Sequence, residues 1–402
     1  MKGFLRSGKK EECFGCEGCV QACPKNAIKM VEDEEGFRYP AVNEELCVNC
    51  SLCNKVCSCE NMPKAPSDDK LAFGGYHKDR DIKAGSTSGG AFSAIVEGWC
   101  DENYVIFGAA SEGLRVYHDH ITDKKDLFKF RKSKYSQSEM GNSFKKAKEF
   151  LKEGKKVLFS GTPCQIAGLR AYLGNDHPGD LLTVEVICEG VPSPHFVRSY
   201  DKHMIKKYGA SITSLDYRFK DMKKTSGKWD FEVMETKLQN GKRIKQDRWF
   251  NPFWSIWLNH LMSRPSCYKC PFTTTDRVAD ISLGDLWGVH LYCPELYGKN
   301  GGASLVVCNS TKGALALEKA LPFMFGHELD FNTALKYQSP MRKAIDTNEH
   351  REAFLKDAKV LPFDELCKRW AKKPTFKLLW QKYVWGNRQK IALYNFKKKF
   401  VK

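Results

Sequence analysis

No stretch of this chain approaches the run of about eighteen apolar residues that a membrane-crossing helix needs, which excludes an integral protein built on such helices. The N-terminus, MKGFLRSGKKEEC, has charges where a secretion signal needs an apolar core. A disulfide scaffold made in an oxidising compartment is therefore not expected, and a reducing, cytoplasmic setting is. Acidic residues are missing from Lys368 to Lys402, where twelve Lys and Arg stand. That tail supplies most of the net charge of +17 and leaves only +5 for the rest, so the charge does not single out nucleic acid as a partner. Hydrophobic residues at 42% and charged residues at 28% are globular values and exclude disorder throughout. At 402 residues, two or three domains are expected.

What the chain has in excess is cysteine: seventeen, nine of them between Cys13 and Cys59. Cys13, Cys16, Cys19 and Cys23 followed by Pro24 form a C-x2-C-x2-C-x3-C run, and Cys47, Cys50, Cys53 and Cys57 repeat it 34 residues later. Two intervening residues let a tight loop wrap three corners of an iron–sulfur cubane while its amides face the sulfurs. In the bacterial ferredoxin pattern the fourth thiolate of each run reaches across to the other cubane. Cys13, Cys16, Cys19 and Cys57 are expected to hold one [4Fe-4S] cluster, and Cys47, Cys50, Cys53 and Cys23 the second. Structural zinc favours pairs separated by a dozen or more residues and fits this spacing poorly. Ser58 stands where a proline is expected after the last cysteine, and Cys59 adds a further thiol.

Beyond the linker NMPKAPSDDK, the runs YVIFGAA, KKVLFSG and LLTVEVIC predict buried strands. AFSAIVEGWC, EMGNSFKKAKEFLKEG and QIAGLRAYLG predict intervening helices, so the middle reads as an α/β domain. Residues 212 to 248 alternate polar and apolar around QNGK, which predicts an antiparallel hairpin. Cys164 in FSGTPCQIAGLR, Cys188 in VICEGVPSP, and the pair Cys267 and Cys270 in SCYKCPF are four more thiols. Spacing alone does not join them: a lone C-x2-C is a zinc knuckle as often as a cluster site, and single buried cysteines usually pack as small hydrophobes. Gly85 to Gly90, GSTSGG, precedes an apolar helix. Its amides suit a pyrophosphate, although on spacing alone a Ser-capped helix start with flexible glycines is the favoured account.

TSGGAFSAI, FSGTPCQIAGLR, VICEGVPSP and SCYKCPFTTTDRVADISLGDLWG closely resemble the beta-subunit family of coenzyme F420-reducing hydrogenase and F420H2 dehydrogenase, over about residues 70 to 340. Members with a fused ferredoxin module belong to the same family. The resemblance implies an iron–sulfur flavoprotein in which Cys164, Cys188, Cys267 and Cys270 hold a third [4Fe-4S] cluster beside FAD. For the flavin it points to Ser86, Ser88, Gly89 and Gly90, to Lys134 and Tyr135 in FRKSKYSQS, to Gly161 and Thr162, and to Gly284 with Asp285 beside it.

The fold class expected is α+β: a 2[4Fe-4S] ferredoxin-like module over 1–62, an α/β flavin-binding domain with an antiparallel extension over 70–345, and a basic, mainly helical tail over 346–402. The function expected is oxidoreduction, in which electrons pass between a two-electron small-molecule substrate at the flavin, coenzyme F420 or another organic compound, and a one-electron partner protein through the clusters. The rival is a non-enzymatic relay subunit of a larger redox complex. No protein acid or base is assigned, and His77, His118, His120 and His195 read as structural or exposed. The aromatic stretch from Arg248 to Leu261 reads as core packing. The tail KPTFKLLWQKYVWGNRQKIALYNFKKKF is expected either to pack its Trp, Tyr and Leu residues against the body or to lie on an anionic membrane surface or acidic partner.

Overall fold

The computed structural model describes residues 2–66, 69–174, 179–220, 233–297 and 301–400. The N-terminal module pairs β1 (Ile28–Glu32) with β2 (Arg38–Val42) between the two cysteine loops. The body supplies β3 (Leu71–His77), β4 (Tyr104–Glu112), β5 (Arg115–Ile121), β6 (Lys156–Gly161) and β7 (Leu181–Val186). There follow β8 (Ile212–Phe219), β9 (Val233–Leu238), β10 (Arg243–Asp247), β11 (Ile281–Asp285), β12 (Ser304–Cys308) and β13 (Met324–Leu329).

Eight of these form one sheet in the order β13-β3-β12-β11-β7-β6-β4-β5. Its centre, β4, β6, β7 and β11, is parallel; β5, β12, β3 and β13 are antiparallel. The central strands are apolar on both faces because helices cover both. Ile106, Leu158 and Leu182 face the helices Ala91–Trp99 and Thr311–Ala320. Their neighbours Val105, Phe107, Val157 and Phe159 face Ser143–Lys152 and Pro163–Leu173. The α+β class expected from the sequence is the class observed, and the three strands and three helices of the middle region lie where the apolar runs put them.

A second sheet, β10-β9-β8, is antiparallel, with β9 and β10 turning at Gln239–Lys242, where Gly241 supplies the positive φ of 80°. Residues 221–232 of the expected hairpin region lie outside the described residues. Against this sheet pack Phe253, Trp254, Ile256 and Trp257 of the helix Pro252–Leu258, with Phe196, Tyr200 and Phe354. Most of the aromatic stretch is core, as expected, with Phe250 the exception at 52% exposure.

The ferredoxin-like module is bolted to the body rather than tethered by its linker. Arg264, 1% exposed, donates from Nε to the Cys13 carbonyl at 2.9 Å, from Nη2 to the Arg38 carbonyl at 3.0 Å and from Nη1 to Gln137 Oε1 at 2.9 Å. Gln137 Nε2 in turn donates to the carbonyls of Phe14, at 2.9 Å, and Gly15, at 3.2 Å. Arg351 meets Glu35 at 2.5 Å, and the amides of Phe144 and Lys145 donate to Gln21 Oε1.

The tail departs from the packed arrangement. The helix Asn387–Phe400 passes beside Val289–Tyr292, yet Phe376 at 78% exposure, Phe400 at 73%, and Trp380, Trp385, Leu393 and Phe396 all face solvent. No described helix is long and apolar enough to cross a membrane.

Replacing Arg264 by Met strands two carbonyls and an amide at the module boundary. A loss of about 3 kcal/mol is expected, read as a lower urea midpoint together with new proteolytic cutting in residues 61–66. An unchanged midpoint and cleavage pattern would show that the module is held by other contacts.

Candidate functional site

The two cysteine loops of the module bring their thiols together in crossed fashion. Cys16 lies within electrostatic reach of Cys13 and Cys57, and Cys19 within reach of Cys13, Cys16 and Cys57. Cys53 is within reach of Cys50 and of Cys23, from the other loop. Burial pushes the Cys16 thiol up to about 12, the charges of Cys57 and Cys13 adding to it, so this space favours sulfur bound to a cation over free thiolate. Cys13, Cys16, Cys19, Cys53 and Cys57 line one cavity. Donors and burial fit a [4Fe-4S] cluster. Glu17 and Ser51, at φ 59° and 58°, hold the left-handed turns that start the helices Gly18–Ala22 and Leu52–Lys55 carrying the middle thiols. Cys59 is buried, with Sγ 3.9 Å from the Lys2 carbonyl, and its thiol is raised to about 11 by burial and then by Cys57.

A third thiol set forms at the carboxyl ends of the parallel strands, the edge where open α/β sheets bind ligands. Cys164 stands in the first turn of Pro163–Leu173 just after β6, where Thr162 caps the helix with Gln165 and places Oγ1 3.2 Å from the Cys164 sulfur. Cys188 follows β7, and its sulfur accepts the Gly190 amide at 3.4 Å. Cys267 and Cys270 come from the turn Pro265–Lys269 and the residue after it. Gly190, at φ 97°, would place a β-carbon 3.3 Å from Cys267 Cβ, so the close approach of the two loops depends on it. Cys267 is within reach of Cys164, Cys188 and Cys270. Burial raises all four thiols, those of Cys164 and Cys270 to about 11 and that of Cys188 to about 12. Positive charge is supplied nearby: Arg264 acts on Cys164, and Arg277, paired with the buried Glu185, acts on Cys188 and Cys270.

The three sets adjoin. Cys19 is within reach of Cys53, and Cys16 of Cys164. Gly168, one helical turn past Cys164, would place a β-carbon 2.8 Å from Cys16 Cβ, so only glycine lets the helix lie against the first loop.

On the other side of the third set lies a basic recess. Ser86 Oγ donates to the Ile82 carbonyl at 2.7 Å, Ser88 Oγ to the Ala303 carbonyl at 2.7 Å, and the Gly89 amide to Ser304 Oγ at 2.9 Å. Gly90, at φ 91°, starts the helix Ala91–Trp99. These groups hold the loop in place, and the Ser133 amide, donating to Thr87 Oγ1 at 2.8 Å, ties it to the Lys134 segment. Lys134 Nζ donates to the carbonyls of Lys129 and Arg131, and Lys220 Nζ to those of Ser88, at 2.5 Å, and Lys83. Tyr135 packs edge-on to Trp254 and Trp257 and within hydrogen-bonding reach of Arg218, which pairs with Asp285 at the end of β11. Glu189, next to Cys188, is open to solvent but crowded by this recess, and desolvation raises its carboxyl. Gly161 ends β6 above His118, and Gly284 lies against Ile187, where a β-carbon would meet its Cδ1 at 2.7 Å. His118 is buried, with Nδ1 2.8 Å from Ser138 Oγ and Nε2 2.9 Å from the Ser160 carbonyl, and desolvation lowers it to about 4; it is structural.

Sequence reasoning missed Lys220, Arg218, Glu189 and Arg264, none of which carries a motif. The chemistry of the recess fits an anionic cofactor: Arg131, Lys132, Lys134, Arg218 and Lys220 surround the loop, and Asp216 and Asp285 answer Lys132 and Arg218.

Residues 154–322 match the family model that describes the C-terminal part of the coenzyme F420 hydrogenase/dehydrogenase beta subunit, and residues 12–61 match a 4Fe-4S dicluster domain. The chain is similar to that beta-subunit family over less than half of its length. By these two matches it is an iron–sulfur redox protein. The family match takes in Cys164, Cys188, Cys267, Cys270, Gly284 and Asp285, whereas the loop Gly85–Gly90 and the Lys134 segment precede it. The N-terminal module is similar to an uncharacterised polyferredoxin-like protein and an uncharacterised ferredoxin of Methanocaldococcus jannaschii, at 38% identity over 56 residues and 40% over 48. Each match covers 12% of this chain, and the chain spans 33% and 61% of those relatives. A chain of the F420-reducing [NiFe] hydrogenase complex from Methanosarcina barkeri aligns over 77% of this chain and 95% of its own, at 16% identity and a TM-score of 0.43.

Desolvation lowers both Lys134 and Lys220 to about 7, whereas unfolded lysine titrates at 10.5. Between those values the unfolded chain holds more protons, so stability contributed here rises with pH from about 7 upward. A bound anion reverses the preference by restoring the ammonium forms. Inorganic pyrophosphate is expected to bind the holoprotein with proton uptake at pH 8, seen as a heat that changes with buffer ionisation enthalpy, and more weakly as pH rises through 7. Binding heats that do not vary with buffer would remove these lysines from the site.

Proposed function

We propose that this chain is an iron–sulfur flavoprotein oxidoreductase, passing electrons between a two-electron organic substrate, coenzyme F420 or a compound of similar demand, and a one-electron partner protein. The observation that carries the reading is contiguity: the second thiol set adjoins the first, the first adjoins the third, and the third meets the basic recess through Cys188 and Glu189. FAD, when bound, supplies exchange of electrons both in pairs and singly, which clusters alone do not. In the recess, Lys134 and Lys220 would meet its phosphates, Tyr135, held by Trp254 and Trp257, would offer an aromatic edge, and Arg218 with Asp285 would fix polar atoms near the third set. Cys164, Cys188, Cys267 and Cys270 would hold the cluster next to it. Residues 1–62, 70–345 and 346–402 serve on this reading as wire, flavin domain and tail.

Anaerobically purified protein is expected to hold about twelve iron atoms and one FAD per chain. Cys267→Ser should cut iron by about a third, abolish substrate-driven reduction of the module and leave the first two clusters visible by paramagnetic resonance after dithionite. Eight iron atoms with no flavin in the parent protein would leave the non-enzymatic relay.

The exposed aromatics of the tail favour a second role. A helix pair that presents Phe376, Trp380, Trp385, Leu393, Phe396 and Phe400 to solvent amid lysines and no carboxylate has the composition of a segment lying on an anionic membrane surface. The full chain is expected to sediment with phosphatidylserine vesicles at low salt and to be released at high salt. A chain with Phe376, Trp380, Trp385 and Phe396 changed to Ser should stay in solution under both conditions. Equal sedimentation of both chains would return the tail to a partner-binding role.

A further inference from the structure

Away from the cysteine-rich sites, three side chains of different chemistry converge on the far edge of the large sheet. Cys293 ends the short helix Val289–Tyr292 and is buried, its amide held by the Val289 carbonyl at 2.8 Å. Two residues on, Glu295 lies in the turn Pro294–Leu296, and His327 stands on the edge strand β13. Cys293 Sγ is 3.4 Å from Glu295 Oε1 and 3.4 Å from His327 Nε2, and that same Nε2 is 3.6 Å from Glu295 Oε1. Among the described residues this is the trio of mixed donors that gathers so closely outside the cysteine sets.

The equilateral arrangement distinguishes two readings. A nucleophilic thiol with a histidine base would use one ring nitrogen toward sulfur and the other toward the carboxylate. Here a single nitrogen faces both, so no proton relay runs through the ring. Three donors aimed at one point are instead what a metal ion requires. Around a tetrahedral zinc, with bonds of about 2.3 Å to sulfur and about 2.0 Å to nitrogen or oxygen, neighbouring ligand atoms stand roughly 3.3–3.6 Å apart. The observed triangle has that size on every side. Thiolate, imidazole and carboxylate together suit a borderline ion such as zinc over hard calcium or magnesium.

We infer that Cys293, Glu295 and His327 form a mononuclear site for a zinc-class divalent ion, with three protein ligands and a fourth position open to water or to an outside ligand. The site joins β13 to the segment that leaves β11 at Asp285 and Trp287, and so it braces the chain just beyond the basic recess. Neither the flavin nor the clusters enter into this assignment.

The test uses the holoprotein, equilibrated with zinc chloride under anaerobic conditions and desalted, with zinc and iron measured together. About one zinc per chain is expected, with one sulfur and two or three lighter atoms around it in zinc-edge absorption spectra. His327→Ala and Glu295→Gln change exposed residues and should each lower zinc affinity at least tenfold while iron content and cluster spectra stay unchanged. Cys293→Ser should behave likewise, but its burial makes the two exposed variants the deciding ones. Retention of no zinc, equal retention in both exposed variants, or a four-sulfur environment that places zinc in the cluster thiols would each overturn the assignment.

Discussion

Ionised thiols crowded into a buried space repel one another, and burial penalises each of them again. The whole architecture answers that single difficulty. Cys16 and Cys188 are both held near 12 and would stay protonated without a cation among them. Iron supplies the positive charge that lets four thiolates share one small volume. The protein supplies the remainder in graded fashion. Around the deeply placed third set stand Arg264 and Arg277, and Arg277 is itself matched by Glu185, whose carboxyl burial raises. Cationic side chains near a cluster favour the added negative charge of its reduced form, so on the function proposed above these two arginines would bear on the potential of the third centre as well as on its assembly.

Contiguity depends on docking as much as on ligation. A flexible linker between module and body would let the first set drift away from the third, and electron hopping falls steeply with separation. The structure answers with backbone contacts. Arg264 and Gln137 hold four carbonyls of the module, those of Cys13, Phe14, Gly15 and Arg38, and Gly168 removes the one β-carbon that would keep the helix of Cys164 off Cys16. Anchoring the carbonyls of the loop that wraps the first cluster fixes its register without competing for the sulfurs. Arg264 also accepts the Cys267 amide at its own carbonyl, at 2.9 Å, so one residue is bonded to a ligand loop of the first set and of the third.

How much of this was legible follows from how local each feature is. The two C-x2-C-x2-C-x3-C runs carry eight thiols in 45 residues, and their spacing alone named the clusters and the crossed fourth ligands. Strands β4, β6 and β7 and their helices declared themselves as apolar runs and 3.6-residue periodicity. The third thiol set did not: Cys164, Cys188, Cys267 and Cys270 span more than a hundred residues, and only the strand order brings them to one edge, so resemblance rather than spacing joined them. Lys220 and Arg218 look like ordinary strand-end cations until β8 is seen to end beside Ser88 and Asp285. Cys293, Glu295 and His327 were invisible for the same reason, since His327 reaches the other two only because β13 pairs with β3 from the far end of the domain. The tail was legible in composition but not in placement. Its periodic aromatics suit a buried face, yet Phe376, Trp380, Trp385, Phe396 and Phe400 stay exposed.

The second thiol set differs from the other two in exposure. The third lies at the strand ends and the first at the module boundary against Gly168 and Phe272, their thiols partly buried, whereas the second opens outward, with Cys50 exposed and Leu46, Val48 and Leu52 around it. Exposed apolar residues beside a metal-binding loop cost solvation and contribute nothing to the core, so on the function proposed above they would meet the partner protein. The cationic residues around the loop Gly85–Gly90 suit a small anionic ligand, and the exposed loop of the second set suits contact with another protein. On the function proposed above, the two-electron reaction would stand at the strand ends and one-electron exchange at the second set, whichever way the electrons run.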